Sequence, residues 1–248
     1  MPYHPGFDLN CDMGESFGAY TMGCDAAIMP YISSANIACG FHAGDFWVMK
    51  QTVGLALQHG VQIGAHPSFP DLQGFGRRVM QFSPQEIYAI VLYQIGALEA
   101  FVGAAGATLR HVKPHGALYN ISAKDPAVAA AIAQAVRDFN PDLQLFGLSG
   151  SISLQQAAAC GLKVRHEVFA DRAYMPDGSL VPRAHPQALI EDADAVLERV
   201  EAMISLQKVQ AIDGQWIDIQ ADTICIHGDG PHALHFAQTL NTAFGNEE

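Results

Sequence analysis

Seven short apolar runs punctuate the chain: FDLNC, SANIAC, VQIGA, LRHVK, LQLFGL, KVRHEVF and DTICIH. Each is apolar or β-branched and is followed by turn chemistry, which predicts strands. Between them the apolar spacing lengthens to the helical period. SPQEIYAIVLYQIGALEAFVGAAG carries Ser83 as N-cap and Pro84 at the first helical position. Glu86 completes a capping box there, and Gly103 or Gly106 closes the helix. DFWVMKQTVGLALQHG begins at Asp45 and stops at Gly60, with Phe46, Met49, Val53 and Leu57 expected on one buried face. DPAVAAAIAQAVRDFN, DADAVLERVEAMISLQ and GPHALHFAQTLNTAFG read the same way, with Pro126 and Pro231 near the starts of the first and last.

Strand alternating with helix along the whole chain predicts right-handed βαβ units and a parallel sheet. Periodicity does not separate a closed barrel from an open, doubly wound sheet. Polar residues follow nearly every strand rather than one switch point, which favours an α/β fold closed as a single (β/α) barrel of about seven parallel strands. No linker, composition shift or internal repeat divides the sequence, so residues 1–248 are expected to form one domain.

Composition narrows the class. The formal net charge is -12, from 25 acidic and 13 basic residues. That balance argues against nucleic acid or an anionic membrane as a main partner, and leaves small anions open. The five cysteines are odd in number and include no CxxC pair, as expected of a reduced protein without a disulfide framework or thiolate zinc site. Cys39 and Cys225 read as small buried apolar residues. The opening MPYHPGFDLNCDMGES has neither the basic nor the apolar region of a secretory signal. No run is expected to reach the ~18 apolar residues that span a bilayer. The protein is expected to be cytoplasmic.

In either α/β architecture the ligand sits beyond the C-terminal ends of the strands. The segments there are DLNCDMGES, NIACGFHAGD, GAHPSFPDLQGFGRR, VKPHGALYN, GLSGS, EVFADRAYMPDGSLVPR and CIHGDG. They hold His42, His66, His115 and His227, the cations Arg77, Arg78, Lys113, Arg172 and Arg183, and the carboxylates Asp12, Glu15, Asp45, Glu167, Asp171 and Asp229. Titratable groups converging from several strands are what acid/base chemistry requires. Some members have plainer readings. Asp45 is a helix N-cap, Arg77 and Arg78 solvate a loop, and Arg172 pairs with its neighbour Asp171. His4, His59, His111, His232 and His235 are structural or surface histidines. Lys113 resists such a reading, because a lysine aimed into a barrel mouth needs an anion or a carboxylate. The chain lacks the P-loop, GxSxG and HExxH motifs. A metal site assembled from Asp12, His42 and His66 stays open, since ligands from separate strands need no local spacing.

Taken in order, DLNCDMGESFG, SSANIACGFHAGD, GAHPSFPDLQGFGRR, VKPHGALYN, EVFADRAY with DGSLVPR, and CIHGDGPHA resemble the successive motifs of the LamB/YcsF family. The resemblance runs from about residue 7 to about residue 240. It implies an irregular β/α barrel similar to the glycoside hydrolase/deacetylase barrels. It also implies one component of a prokaryotic 5-oxoprolinase, which opens 5-oxo-L-proline (pyroglutamate) to L-glutamate with ATP and its Mg2+, in a complex with subunits B and C. Residue type and position then suggest roles the family does not assign. Lys113 and Arg172 would bind anions, with His115 close by as a donor and Glu15 and His227 also at the substrate. Asp12 and His42 would be the general acid and base, with His66 and Asp229 in support. Two other readings stand beside this one: a metal-dependent carbohydrate deacetylase or glycosidase, and a non-catalytic substrate-binding subunit. Only two tryptophans are present to build a sugar groove, and a pure binding pocket rarely needs so many titratable groups.

Overall fold

Every run predicted as a strand forms one. The strands are β1 (Leu9–Met13), β2 (Ser34–Ala38), β3 (Gln62–His66), β4 (Leu109–Val112), β5 (Gln144–Leu148) and β6 (Lys163–Phe169). The chain then leaves the sheet for a helix and a short antiparallel ribbon, β7 (Lys208–Gln210) and β8 (Trp216–Asp218), before returning as β9 (Thr223–Ile226). The structure, a computed structural model, describes residues 7–228, 230 and 232–245. Parallel pairing in the order β1, β2, β3, β4, β5, β6, β9 closes back on β1. The open-sheet alternative is thereby excluded. The β7–β8 ribbon is not among the predicted strands, because three residues are too few to display a period of two.

The helices are α1 (Asp25–Ile28), α2 (Phe46–Gln58), α3 (Pro84–Ala104), α4 (Gly116–Ser122), α5 (Pro126–Phe139), α6 (Ile152–Ala159), α7 (Ala193–Leu206) and α8 (Ala233–Phe244). The capping signals act as predicted. The Ser83 hydroxyl accepts from the Glu86 N–H while the Glu86 carboxylate accepts from the Ser83 N–H. Asp45 accepts from the N–H groups of Trp47 and Val48. Pro231, expected near the start of the last helix, lies outside the described residues. Two expectations are corrected. The buried face of α2 is Met49, Thr52, Val53 and Ala56, whereas Phe46 is 75% exposed and Leu57 42%. Thr52 can join that face because its hydroxyl is satisfied within the helix by the Val48 carbonyl. Second, α3 is long and apolar enough to cross a bilayer by length and composition. Its apolarity serves the core instead, burying Ile87, Val91, Ile95, Leu98 and Val102.

Alternation along the strands sorts two environments. Leu9, Cys11, Met13, Ala35, Ile37, Ile63, Ala65, Val112, Leu145, Val168, Ile224 and Ile226 belong to the apolar core beneath the helices. The intervening positions fill the barrel with polar groups. Asn36 donates to Asn10 Oδ1 at 2.8 Å and to Asp12 Oδ1 at 2.9 Å, and Asn10 donates to Thr223 Oγ1 at 2.7 Å. His111 Nε2 donates to Asn36 Oδ1 at 2.8 Å, and its ring stacks on Phe146. Burial, with Lys113 and His66 adding repulsion, pushes the His111 pKa down to about 3. This histidine is structural, as expected. Gly64 lies opposite it in the register, and a Cβ there would overlap the His111 ring. Gly64→Ala should therefore destabilise the fold by roughly 1–3 kcal/mol or more. Gly54, in α2 with open space around its Cβ position, should gain about 0.5–1 kcal/mol from the same change. Opposite shifts of the urea midpoints would bear out this contrast.

Candidate active site

The strand register delivers one ammonium to the centre of the barrel. Lys113, one residue past β4 and 2% exposed, places Nζ 2.9 Å from Asp12 Oδ1, 2.7 Å from Glu167 Oε1 and 3.2 Å from Asn10 Oδ1. The Cys225 sulfur lies 3.1 Å away and the Phe169 ring beneath. Burial by itself would raise the Asp12 carboxyl, but His66 and Lys113 outweigh it and hold it well below the usual carboxylate range. Burial would likewise lower the Lys113 ammonium. The surrounding carboxylates, Asp12 foremost, hold it well above the usual range. Tyr119, on α4, is raised by burial and by the Glu167 charge, so its hydroxyl keeps its proton.

Beside this cluster stand three histidines and a glutamate, all buried: Glu15, His42, His66 and His115. His66 ends β3, and its Nδ1–H donates to the Lys113 carbonyl at 2.7 Å. His115 caps the start of α4, and its Nε2–H donates to the Phe75 carbonyl at 2.9 Å. His42 stacks on His115 with centroids 3.9 Å apart and lies 3.2 Å from Glu15 Oε1. The loop that carries Phe75 is held tightly. Asp71 accepts from the Gly74 N–H and pairs with the Arg78 guanidinium. Phe75 adopts a positive φ of 54°, which a bulky residue rarely does without support. Gly76 follows with φ 65°, and a Cβ there would meet Ser68, His115 and His42. The GFG of the sequence is thus backbone pressed against the histidines.

A cavity of about 830 Å3 opens above these groups. Asp12, His66, Lys113 and His115 lie at its base, and Arg77, Lys124, Arg172, Arg183 and His227 are among its walls. Arg172 is fixed by the 170–190 excursion, donating to the carbonyls of Val181 at 2.7 Å and Ala188 at 3.4 Å. Burial and the neighbouring Arg183 lower its pKa to about 10, which leaves it charged at neutral pH. Asp171 turns to His227, whose Nδ1 lies 2.9 Å from both carboxylate oxygens. The volume is that of an ordinary small-molecule site, and its cations suit an anionic ligand.

The structure brings together Asp12, Glu15, His42, His66, Lys113 and His115, and sets Arg172 and His227 in the same cavity. Asp229 lies outside the described residues. Several details differ from the expected layout. Lys113 meets protein carboxylates at close range, and His42 sits behind His115 rather than in the cavity wall. Arg172 bonds to carbonyls while Asp171 bonds to His227. Arg77 lines the cavity and lies over the Phe75 ring, so it does more than solvate a loop. The metal-ligand candidates group as Glu15, His42, His66 and His115, with Asp12 3.2 Å from His66 Nε2. Sequence reasoning gives Glu167 no role beyond its place among the carboxylates, and passes over Asn10, Asn36 and Tyr119. For the strand residues the available signal is a polar side chain at the inward phase, as in KVRHEVF, where Lys163, Arg165 and Glu167 recur every second position.

A closed parallel barrel with its titratable groups gathered at the strand ends defines the class: a β/α-barrel protein with a cavity of small-molecule size at those ends. The LamB/YcsF family model matches residues 7–248, and the chain belongs to that family. The A subunit of 5-oxoprolinase from Tolumonas auensis is 57% identical over 236 residues, which cover 95% of this chain and 94% of the relative. The protein of the same name from Geobacillus kaustophilus is 58% identical, over 97% of this chain and 93% of its own. The crystal structure of the lactam utilization protein from Thermus thermophilus superposes with a TM-score of 0.90 at 48% identity, covering 96% of each chain.

The Lys113 cluster makes a pH-dependent contribution whose sign is fixed. A depressed Asp12 stabilises the fold above its unfolded pKa of about 3.9. That contribution is lost as pH falls through its lower folded value. A raised Lys113 stabilises below about 10.4, and this is lost as pH rises through its higher folded value. Lys113→Met should deprive two buried carboxylates, Asp12 and Glu167, of their shared ammonium and cost about 3–5 kcal/mol near neutrality. The deficit should shrink in mild acid, where one carboxylate can take a proton. Urea denaturation of both proteins across pH measures this; a deficit that grows on acidification would refute the assignment.

Proposed function

We propose that this chain is the A subunit of a 5-oxoprolinase, acting with two partner subunits, B and C, to open 5-oxo-L-proline to L-glutamate with hydrolysis of ATP. The observation that carries the reading is the cavity itself, with arginines in its wall and a carboxylate–ammonium–histidine cluster at its base. The names of relatives 57% and 58% identical over nearly the whole chain support it. A five-membered lactam is a resonance-stabilised amide with little ring strain to release. Transfer of the ATP γ-phosphoryl group to the lactam oxygen releases ADP and gives an activated imidate. Water adds at the ring carbon, the C–N bond breaks as the ring nitrogen takes a proton, and a second water hydrolyses the resulting acyl phosphate to L-glutamate and phosphate. Such chemistry needs cations for phosphate and for the substrate carboxylate, and groups that move protons to and from water and the ring nitrogen.

In this reading Arg172, with Arg77 and Arg183, takes the carboxylate or phosphate, and the guanidinium fork suits either. Asp12, at the cavity base, is the acid/base group, and His66, with Nε2 3.2 Å from its Oδ2, orients it. Lys113 holds Asp12 and Glu167 in place and keeps Asp12 ionised. His115 lines the cavity beside them, and Mg2+ accompanies ATP. In the reconstituted three-subunit complex, Asp12→Asn should lower kcat for pyroglutamate-dependent ATP hydrolysis by roughly 100-fold or more. Arg172→Ala should instead raise KM for pyroglutamate, with kcat less affected. Normal kcat and KM in both variants, or no pyroglutamate stimulation in the wild-type mixture, would overturn the proposal.

A further inference from the structure

Two hydrogen bonds fix the tautomers of the central histidine pair. The Lys113 and Phe75 carbonyls can only accept, so His66 Nδ1 and His115 Nε2 both carry hydrogens. In the neutral rings the opposite nitrogens, His66 Nε2 and His115 Nδ1, then present lone pairs. These two atoms face each other at 2.9 Å. Two lone pairs at that distance repel unless a positive centre lies between them. A proton shared with Asp12 Oδ2, 3.2 Å from His66 Nε2, is one candidate. The other donors nearby favour a larger cation. Glu15 Oε1 is 3.6 Å from His115 Nδ1 and 3.2 Å from His42 Nε2. One donor atom from each of the four residues lies within 4.8 Å of the other three. His42 is fully buried, and its Nδ1 has no hydrogen-bond partner among the described residues.

We infer that Glu15, His42, His66 and His115 bind a divalent first-row transition-metal ion of the zinc class through three imidazole nitrogens and one carboxylate oxygen. Tetrahedral ligands with bonds of about 2.0–2.1 Å stand roughly 3.3 Å apart. Three of the six separations, 2.9, 3.2 and 3.6 Å, bracket that value, and all six lie within 4.8 Å. Imidazole with carboxylate is the donor set that zinc and its neighbours take, whereas magnesium and calcium prefer oxygen alone. The far nitrogens of His66 and His115 already make the backbone hydrogen bonds that orient metal-bound imidazoles. Two of the ligands, His66 and His115, line the cavity, so an ion here borders the substrate space. Pyroglutamate turnover is not a premise of this inference.

The test is a titration of the chelator-treated full-length chain with Co2+. Ligand-field absorption in the visible should rise and saturate at one ion per chain, and Zn2+ should abolish it. His66→Ala and Glu15→Gln should lose the saturable signal while keeping the wild-type circular dichroism. Should either variant fail to fold, X-ray absorption on the zinc-loaded wild type gives the same answer: nitrogen and oxygen neighbours with imidazole scattering support the site. Sulfur ligation, no saturable Co2+ signal in the wild type, or an unchanged titration in the folded variants would overturn it.

Discussion

The ammonium of Lys113 is the point on which the centre of this barrel depends. Seven strands aim polar side chains into a buried space, and those side chains include the acids Asp12 and Glu167. Removing such charges from water is expensive unless each meets a partner. Lys113 reaches both, together with Asn10, from the end of β4. Its backbone also takes part, because its carbonyl sets the tautomer of His66. One residue thus joins His66 in keeping the acid ionised and sets the orientation of that imidazole.

A second constraint comes from the loop between β3 and α3. The strained Phe75 and the glycine after it bring the backbone close enough to accept a hydrogen bond from His115. The Gly76 carbonyl in turn accepts from the Ala117 N–H at the start of α4. Asp71, buried and bonded to the Arg78 guanidinium and the Gly74 N–H, keeps this loop closed. Rigid loops of this kind hold a site ready before its ligand arrives, so little ordering entropy is left to lose on binding. The same loop delivers Arg77 to the cavity wall, joining a cation to the histidine cluster.

The division between what is legible in the sequence and what is not follows the range of the physics. Strands, most helices and the caps are local: a period of two, a period near four, Ser83 with Glu86, Asp45 before an apolar run. Those features are readable, as is the gathering of Asp12, His42, His66, Lys113 and His115 beyond the strand ends. The buried face of α2 is misread because Phe46 and Leu57 have the hydrophobicity of core residues but lie beyond the reach of the sheet. The apolar length of α3 is underestimated because its glycines, alanines and tyrosines interrupt the visual run without making it polar.

What the sequence determined by itself was the alternation of strand and helix, the parallel barrel that this favours, and the set of titratable residues placed near one mouth. Only the tertiary structure decided the pairings within that set. Barrel closure brings β6 and β9 together and β9 beside β1, and so places Glu167 and Cys225 against Lys113 although both lie far from it in the chain. Closure also turns Asp171 to His227 and leaves Arg172 to the cavity. Partner choice among buried charges is settled by which side chains share a space without water, and that is a property of distances through the fold.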